Sequence, residues 1–261
     1  MDKSAIENVV ASAKSRLEMW ARLIDLAQIE KMAEVGVWKG EFARHVLATC
    51  KSVEAYFMID PWRKLPDWNK PANVDDQAFD SIYREAMDAT DFARQKRKVL
   101  RGRTLDVIDQ IAEESLDFVY IDGDHTLRGI TIDLLNVWGK VRLGGCVGGD
   151  DLFANIWPHS LEYEPTLVFP FVLYFAEAIG ATIYALPCNQ FLIEKQQRAC
   201  REYAFHDLVG WYGDPTLRGQ MIAPPRRWTK LVPVPLKLTL RRLFSGNSEF
   251  SERSRLGMSD D

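Results

Sequence analysis

The chain has 261 residues, 47% apolar and 27% charged, enough for one large core and too ordinary for collagen, coiled coil or wholesale disorder. A formal charge of −4 argues against a dedicated nucleic-acid binder, which carries a basic excess. Cys50, Cys146, Cys188 and Cys200 form no CxxC pair, so neither a zinc ribbon nor a disulfide framework is indicated, and a cytoplasmic location is the simplest expectation.

In chain order, Met1 to Ser4 lead into an amphipathic stretch and not an apolar run, so no secretory signal is expected. Ile6, Val9, Ala13, Leu17, Trp20, Ile24 and Leu26 recur at helical spacing, predicting one helix over 4–28. Strand patterns at 30–35, 54–59, 97–101, 116–121 and 145–149 then alternate with helical patterns at 40–49, 76–89, 104–113 and 127–138. That alternation predicts an α/β fold with a doubly wound, mostly parallel sheet, whose ligands sit at the carboxyl ends of the strands.

Leu167 to Leu186 carries a single charge, Glu177, and invites a membrane reading. Pro170 and Gly180 interrupt it, and a carboxylate near the bilayer centre costs roughly 2.5–3.5 kcal/mol. A buried helix up to Ile179, a stop at Gly180 and a strand from Ala181 fit better. Segments 181–186 and 190–194, joined at Pro187-Cys188-Asn189, read as an antiparallel hairpin at one edge.

Three regions result: 1–29, a helix packing on the core; 30–195, the main domain; and 196–261, a basic, proline-containing extension whose end is expected to be disordered. Up to residue 194 there are 21 Lys+Arg against 30 Asp+Glu, and beyond it 12 against 7. The tail composition suits a peripheral contact with the inner membrane surface, a partner protein, or docking onto its own domain or a second copy in a homo-oligomer. A second basic run, Arg94 to Arg103, reads first as a solvated face.

Three motifs carry chemistry. Glu34-Val35-Gly36-Val37-Trp38-Lys39-Gly40 stands where a strand turns into a helix, with glycines where a ligand must approach the backbone. Its GxxxG spacing lacks a third glycine and so suits a dinucleotide poorly. Asp60 ends the next strand, placed to accept hydrogen bonds from ribose hydroxyls or, more blandly, to form a turn before Pro61. The densest motif is Asp117-Phe-Val-Tyr-Ile-Asp122-Gly-Asp-His125, followed by Leu143-Gly-Gly and then Asp150-Asp151. Neighbouring parallel strands would bring Asp122, Asp150 and Asp151 together, and such a set suits a hard ion such as Mg²⁺ unless the acids cap helices or pair with arginines.

Together these residues resemble class I S-adenosylmethionine-dependent methyltransferases, nearest the branch of macrocin-type sugar O-methyltransferases and cephalosporin-hydroxylase-like proteins, over about residues 30–195. The resemblance implies a Rossmann-like sheet of seven strands and S-adenosylmethionine as cofactor. It implies Glu34, Gly36, Lys39 and Gly40 at the methionine and ribose end, Asp60 on the ribose, Gly102 and Arg103 near adenine, and Asp122 beside the cofactor. Asp122, Asp150 and Asp151 match positions that hold a divalent cation, and His125 falls where a general base sits, with His159 in reserve. The expected reaction is O-methylation of a hydroxyl on a sugar, glycan or small secondary metabolite. Mg²⁺ would bind that hydroxyl and His125 would take its proton. Aromatics in the loops, Trp62, Trp68, Phe153, Trp157 and Tyr163, would stack on the acceptor or simply pack. Two rivals remain, a catalytically silent S-adenosylmethionine-binding protein and an NAD-type oxidoreductase.

Overall fold

Short runs of alternating, largely apolar residues make five parallel strands: β1 (Lys31–Val35), β2 (Ala55–Asp60), β3 (Arg97–Arg101), β4 (Leu116–Ile121) and β5 (Val141–Gly149). The structure, a computed structural model, describes residues 1–196 and 202–212, all within Met1–Met221, the first of two units, the other being Ile222–Asp261. The spatial order β3-β2-β1-β4-β5 reverses between β1 and β4, and the crevice at such a reversal is where open α/β sheets bind ligands. The tail 224–261 lies outside the described residues.

The hairpin forms as expected: β6 (Thr182–Leu186) and β7 (Gln190–Glu194) pair antiparallel, and β7 runs antiparallel to β5. An eighth strand, β8 (Ala204–Asp207), adds parallel to β6, so the sheet has eight strands among the described residues and continues past residue 195. Four residues carry no readable period, and β8 exists because the β6 edge supplies its partner groups.

Period-2 alternation sends Met32, Tyr56, Met58, Phe118 and Tyr120 into one core, and Ala33, Ile59, Val119, Ile121 and Val147 into the other. The first core is closed by α1 (Lys3–Ser12), α2 (Arg16–Leu26), α3 (Glu41–Thr49) and α4 (Asp76–Ala89). The second is closed by α5 (Thr104–Val107), α6 (Leu127–Lys140) and α7 (Val168–Ile179). A 3-10 turn, Ile108–Gln110, takes over where one helix was expected through 113. The apolar α7 buries one face, with Tyr174 and Glu177 exposed, and ends at Gly180 with φ +64°. No helix of the described residues is long and apolar enough to cross a membrane.

The single helix expected over 4–28 is instead two. The Ser15 hydroxyl accepts from the Glu18 amide (3.2 Å), and the Glu18 carboxylate accepts from the Lys14 amide (3.1 Å). A serine with a glutamate three residues on is a helix-start signal, and it restarts the helix at Arg16. The basic run from Arg94 lines the edge strand β3, where Lys98 lies over the Phe57 ring and Arg101 donates to the Trp62 carbonyl. Charge on an exposed edge discourages pairing with another sheet.

Candidate active site at the carboxyl ends of the strands

The turn after β1 is shaped by what crosses it. Gly36 has φ +85°, and a Cβ there would lie 2.1 Å from the Asp122 carbonyl oxygen; only glycine fits both constraints. Asp122 donates its amide to the Val35 carbonyl (2.7 Å), tying the end of β4 to the end of β1. At Gly40, φ +77° and α3 begins with no side-chain cap, which leaves its first-turn amides for another partner.

Glu34 points into the core, only 2% exposed, and its carboxyl accepts from the Tyr56 hydroxyl (2.7 Å). Burial holds its pKa well above the usual carboxylate range. Asp60 is spent on the turn itself. One oxygen accepts from the Val37 and Trp38 amides (2.9 Å each), the other from the Trp62 amide (2.7 Å). Burial nevertheless pushes Asp60 up to about 6. Expected on the ribose, Asp60 has its three hydrogen bonds on backbone here. Trp62 is fully buried and donates its indole N–H to the Trp38 carbonyl (2.9 Å), so it packs and does not present a stacking face.

Lys39 is exposed and pairs with Glu85 of α4 (3.2 Å). Gly102 is buried where a Cβ would lie 2.6 Å from Val107, and its amide donates to the Asp60 carbonyl (3.0 Å). Arg103 precedes α5 and reaches Asp106 (3.5 Å) and Asp67 (3.9 Å). His159 is half-buried in the loop between β5 and α7.

Asp122, Asp150 and Asp151 do gather, with cations between them. Arg16, first residue of α2, lies 2.6 Å from Asp150 and 3.6 Å from Asp122. His125 Nδ1 lies 2.6 Å from Asp151, and its Nε2 is 3.5 Å from Asp122 with no hydrogen-bond partner. The remaining Asp150 oxygen accepts from the Gln190 amide group (2.6 Å) and the Asp151 backbone (2.6 Å). Among the described residues no group of three or more His, Cys, Asp or Glu side chains is arranged to hold a metal ion. The expected Mg²⁺ set therefore does not fit as placed: the carboxylate oxygens already face Arg16, His125 and Gln190.

Burial and then Asp150 raise Asp122; burial and then Asp151 raise Asp150. For His125 burial opposes the charged form, but Asp151 more than offsets it and holds the imidazole up at about 9. Strained backbone gathers here as well. Trp38 (φ +52°), Trp62 (φ +39°) and Asp151 (φ +62°) are left-handed without being glycine, an arrangement that costs about 1–3 kcal/mol per residue and clusters at functional sites.

Hydrogen bonds tie together the loops that follow β2 and β5. Asn69 donates to the Glu162 carbonyl (2.7 Å), and buried Lys70 donates to the Glu164 carbonyl (2.8 Å) and the Thr166 hydroxyl (3.1 Å). Trp68 is half-buried, whereas Trp157 remains 43% exposed.

No sequence motif marks Arg16, Gln190 or Tyr56 as a site residue. The nearest signal for Arg16 is the Ser15-x-x-Glu18 start, which the helical periodicity through 13–15 hides.

A doubly wound sheet with acids at the carboxyl ends of β1, β2, β4 and β5 defines a protein of the Rossmann-like methyltransferase fold. Residues 33–152 match the family described as a methyltransferase domain. The fold is shared with a cofactor-bound protein from MTB (14% identity, 76% of this chain and 92% of that one, TM-score 0.53). It is shared too with a putative caffeoyl-CoA O-methyltransferase from Staphylococcus aureus (12%, 74% and 89%, 0.53). A third likeness is the O-methyltransferase TomG from Streptomyces achromogenes, involved in tomaymycin synthesis and solved in complex with SAM (14%, 76% and 92%, 0.50). No curated protein matches the chain in sequence.

Proposed function

We propose that the protein is an S-adenosylmethionine-dependent O-methyltransferase acting on a hydroxyl of a sugar, glycan or small secondary metabolite. The observation that carries this is His125: held at Nδ1 by Asp151, with Nε2 turned toward Asp122 and unpartnered, at the end of the strand that crosses Gly36. The match of residues 33–152 to a methyltransferase domain supports the reaction class.

The residues around the turn suit the cofactor. Gly36 gives it a close approach to backbone, and the uncapped start of α3 offers amides to a carboxylate. Bound there, S-adenosylmethionine would supply an electrophilic methyl group on a sulfonium. The chain's own task is to align the acceptor and move its proton, and alignment alone contributes several kcal/mol. Nε2 of neutral His125 accepts the hydroxyl proton, and Asp151 stabilises the resulting imidazolium. With His125 at about 9, the neutral form is a minority at pH 7, so transfer should rise as pH increases toward that value.

Two measurements test this. Calorimetry with S-adenosylhomocysteine should show binding, and labelled methyl should pass to hydroxylated sugars in an acceptor panel. His125→Ala should cut transfer by about 100-fold or more while leaving cofactor binding intact. Failure to bind S-adenosylhomocysteine, or full activity in the variant, overturns the reading.

A further inference from the structure

We infer that the Arg16 guanidinium takes the place of a divalent cation at Asp122 and Asp150, so that this site works without a metal. The inference deepens the functional reading above and rests on its placement of the site, although its central test needs no turnover.

Charge order makes the case. Side chains alternate in sign along Asp150, Arg16, Asp122, His125 and Asp151, at separations of 2.6, 3.6, 3.5 and 2.6 Å. Three acids that close repel unless cations stand among them, and here two protein cations do. Arg16 keeps its charge at any pH the protein meets and presents several N–H donors in a fixed fork.

Its position is built and not incidental. Arg16 sits one turn before Trp20, hence on the same helix face. Trp20 is 1% exposed, donates to the Gln190 side-chain oxygen (2.8 Å), and fills the space where a Cβ on Gly148 would lie 2.3 Å away. Tyr120 also donates to that Gln190 oxygen (2.7 Å), and Gln190 donates onward to Asp150 (2.6 Å). One buried network thus fixes both the helix that carries Arg16 and the carboxylate it faces. A metal ion would have to displace Arg16, His125 and Gln190 from the same oxygens. In the reaction, Arg16 supplies fixed positive charge near the oxygen as its proton leaves, the electrostatic share a metal would otherwise provide.

Mn²⁺ is the probe, used on the full chain. The free-ion paramagnetic resonance signal should be unchanged by the wild-type protein, and wild-type melting should be indifferent to EDTA. Arg16→Ala should melt lower and deplete the free-ion signal that wild type leaves unchanged, with melting recovering as Mn²⁺ is added. Arg16→Lys, which keeps a charge, should stay indifferent to the ion. Stoichiometric Mn²⁺ binding by the wild type, or loss of its melting temperature or activity in EDTA, overturns the inference even if Arg16→Ala does not fold. Absence of S-adenosylhomocysteine binding would instead strike the functional reading alone.

Discussion

Strand β4 carries Asp117 near its start and Asp122 just past its end, and the protein treats the two acids in opposite ways. Burial works against the Asp117 carboxylate, yet Arg142 (2.6 Å) and the amides of Lys31 (2.7 Å) and Glu30 (2.9 Å) overcome it and hold its pKa below the usual range. Asp122 gains no comparable donors, and burial with Asp150 beside it raises its pKa. At the amino edge an acid stabilises the fold by joining two strands. At the carboxyl edge acids are crowded against each other at a cost, which is the usual sign of a site arranged for chemistry.

The largest effect should come from Asp122→Asn. Three carboxylates then become two facing two cations, so melting should stay level or rise, while methyl transfer falls about 100-fold or more. A melting temperature that drops together with activity would break the contrast. Next in size, Asp117→Asn removes acceptors from charged and backbone donors and should cost about 1–3 kcal/mol in denaturant unfolding. Its S-adenosylhomocysteine binding should be unchanged; weaker binding would mean that the two edges are not separable.

A subtler effect belongs to Asp133 on α6, buried with the Thr104 hydroxyl donating to it, and pushed up by burial to about 7. Because the folded pKa lies above the unfolded one, the folded protein binds the proton more tightly. Asp133 thus contributes stability below about pH 4 that is lost as pH rises through about 7. Asp133→Asn keeps an acceptor for Thr104 and should flatten that decline, read from melting temperatures across the range. An unchanged pH profile would show that Asp133 is ionised in the folded state.

How far the sequence could be read follows from how local each feature is. Strands β1, β2 and β4 announce themselves through short apolar runs, and Gly36 through its place between strand and helix. The split between α1 and α2 was legible in Ser15 and Glu18, yet apolar periodicity on both sides masked it. No pattern marks β8, because its pairing groups belong to β6. The gathering of Asp122, Asp150 and Asp151 follows from parallel neighbours, but the cation set among them does not: Arg16 is 106 residues before Asp122 in the chain. Nor does the sequence show Asp60 turned onto three backbone amides, since that depends on where Trp38 and Trp62 sit.

The sequence by itself thus determined a doubly wound sheet, the edge at which the acids meet and the glycine turn between β1 and α3, because these follow from periodicity and strand order. Only the tertiary structure decided what faces those acids. Packing of Trp20 against Gly148 and the reach of Gln190 put a guanidinium where an ion was expected, and electrostatic repulsion among buried carboxylates is relieved by whichever cation the fold brings nearest.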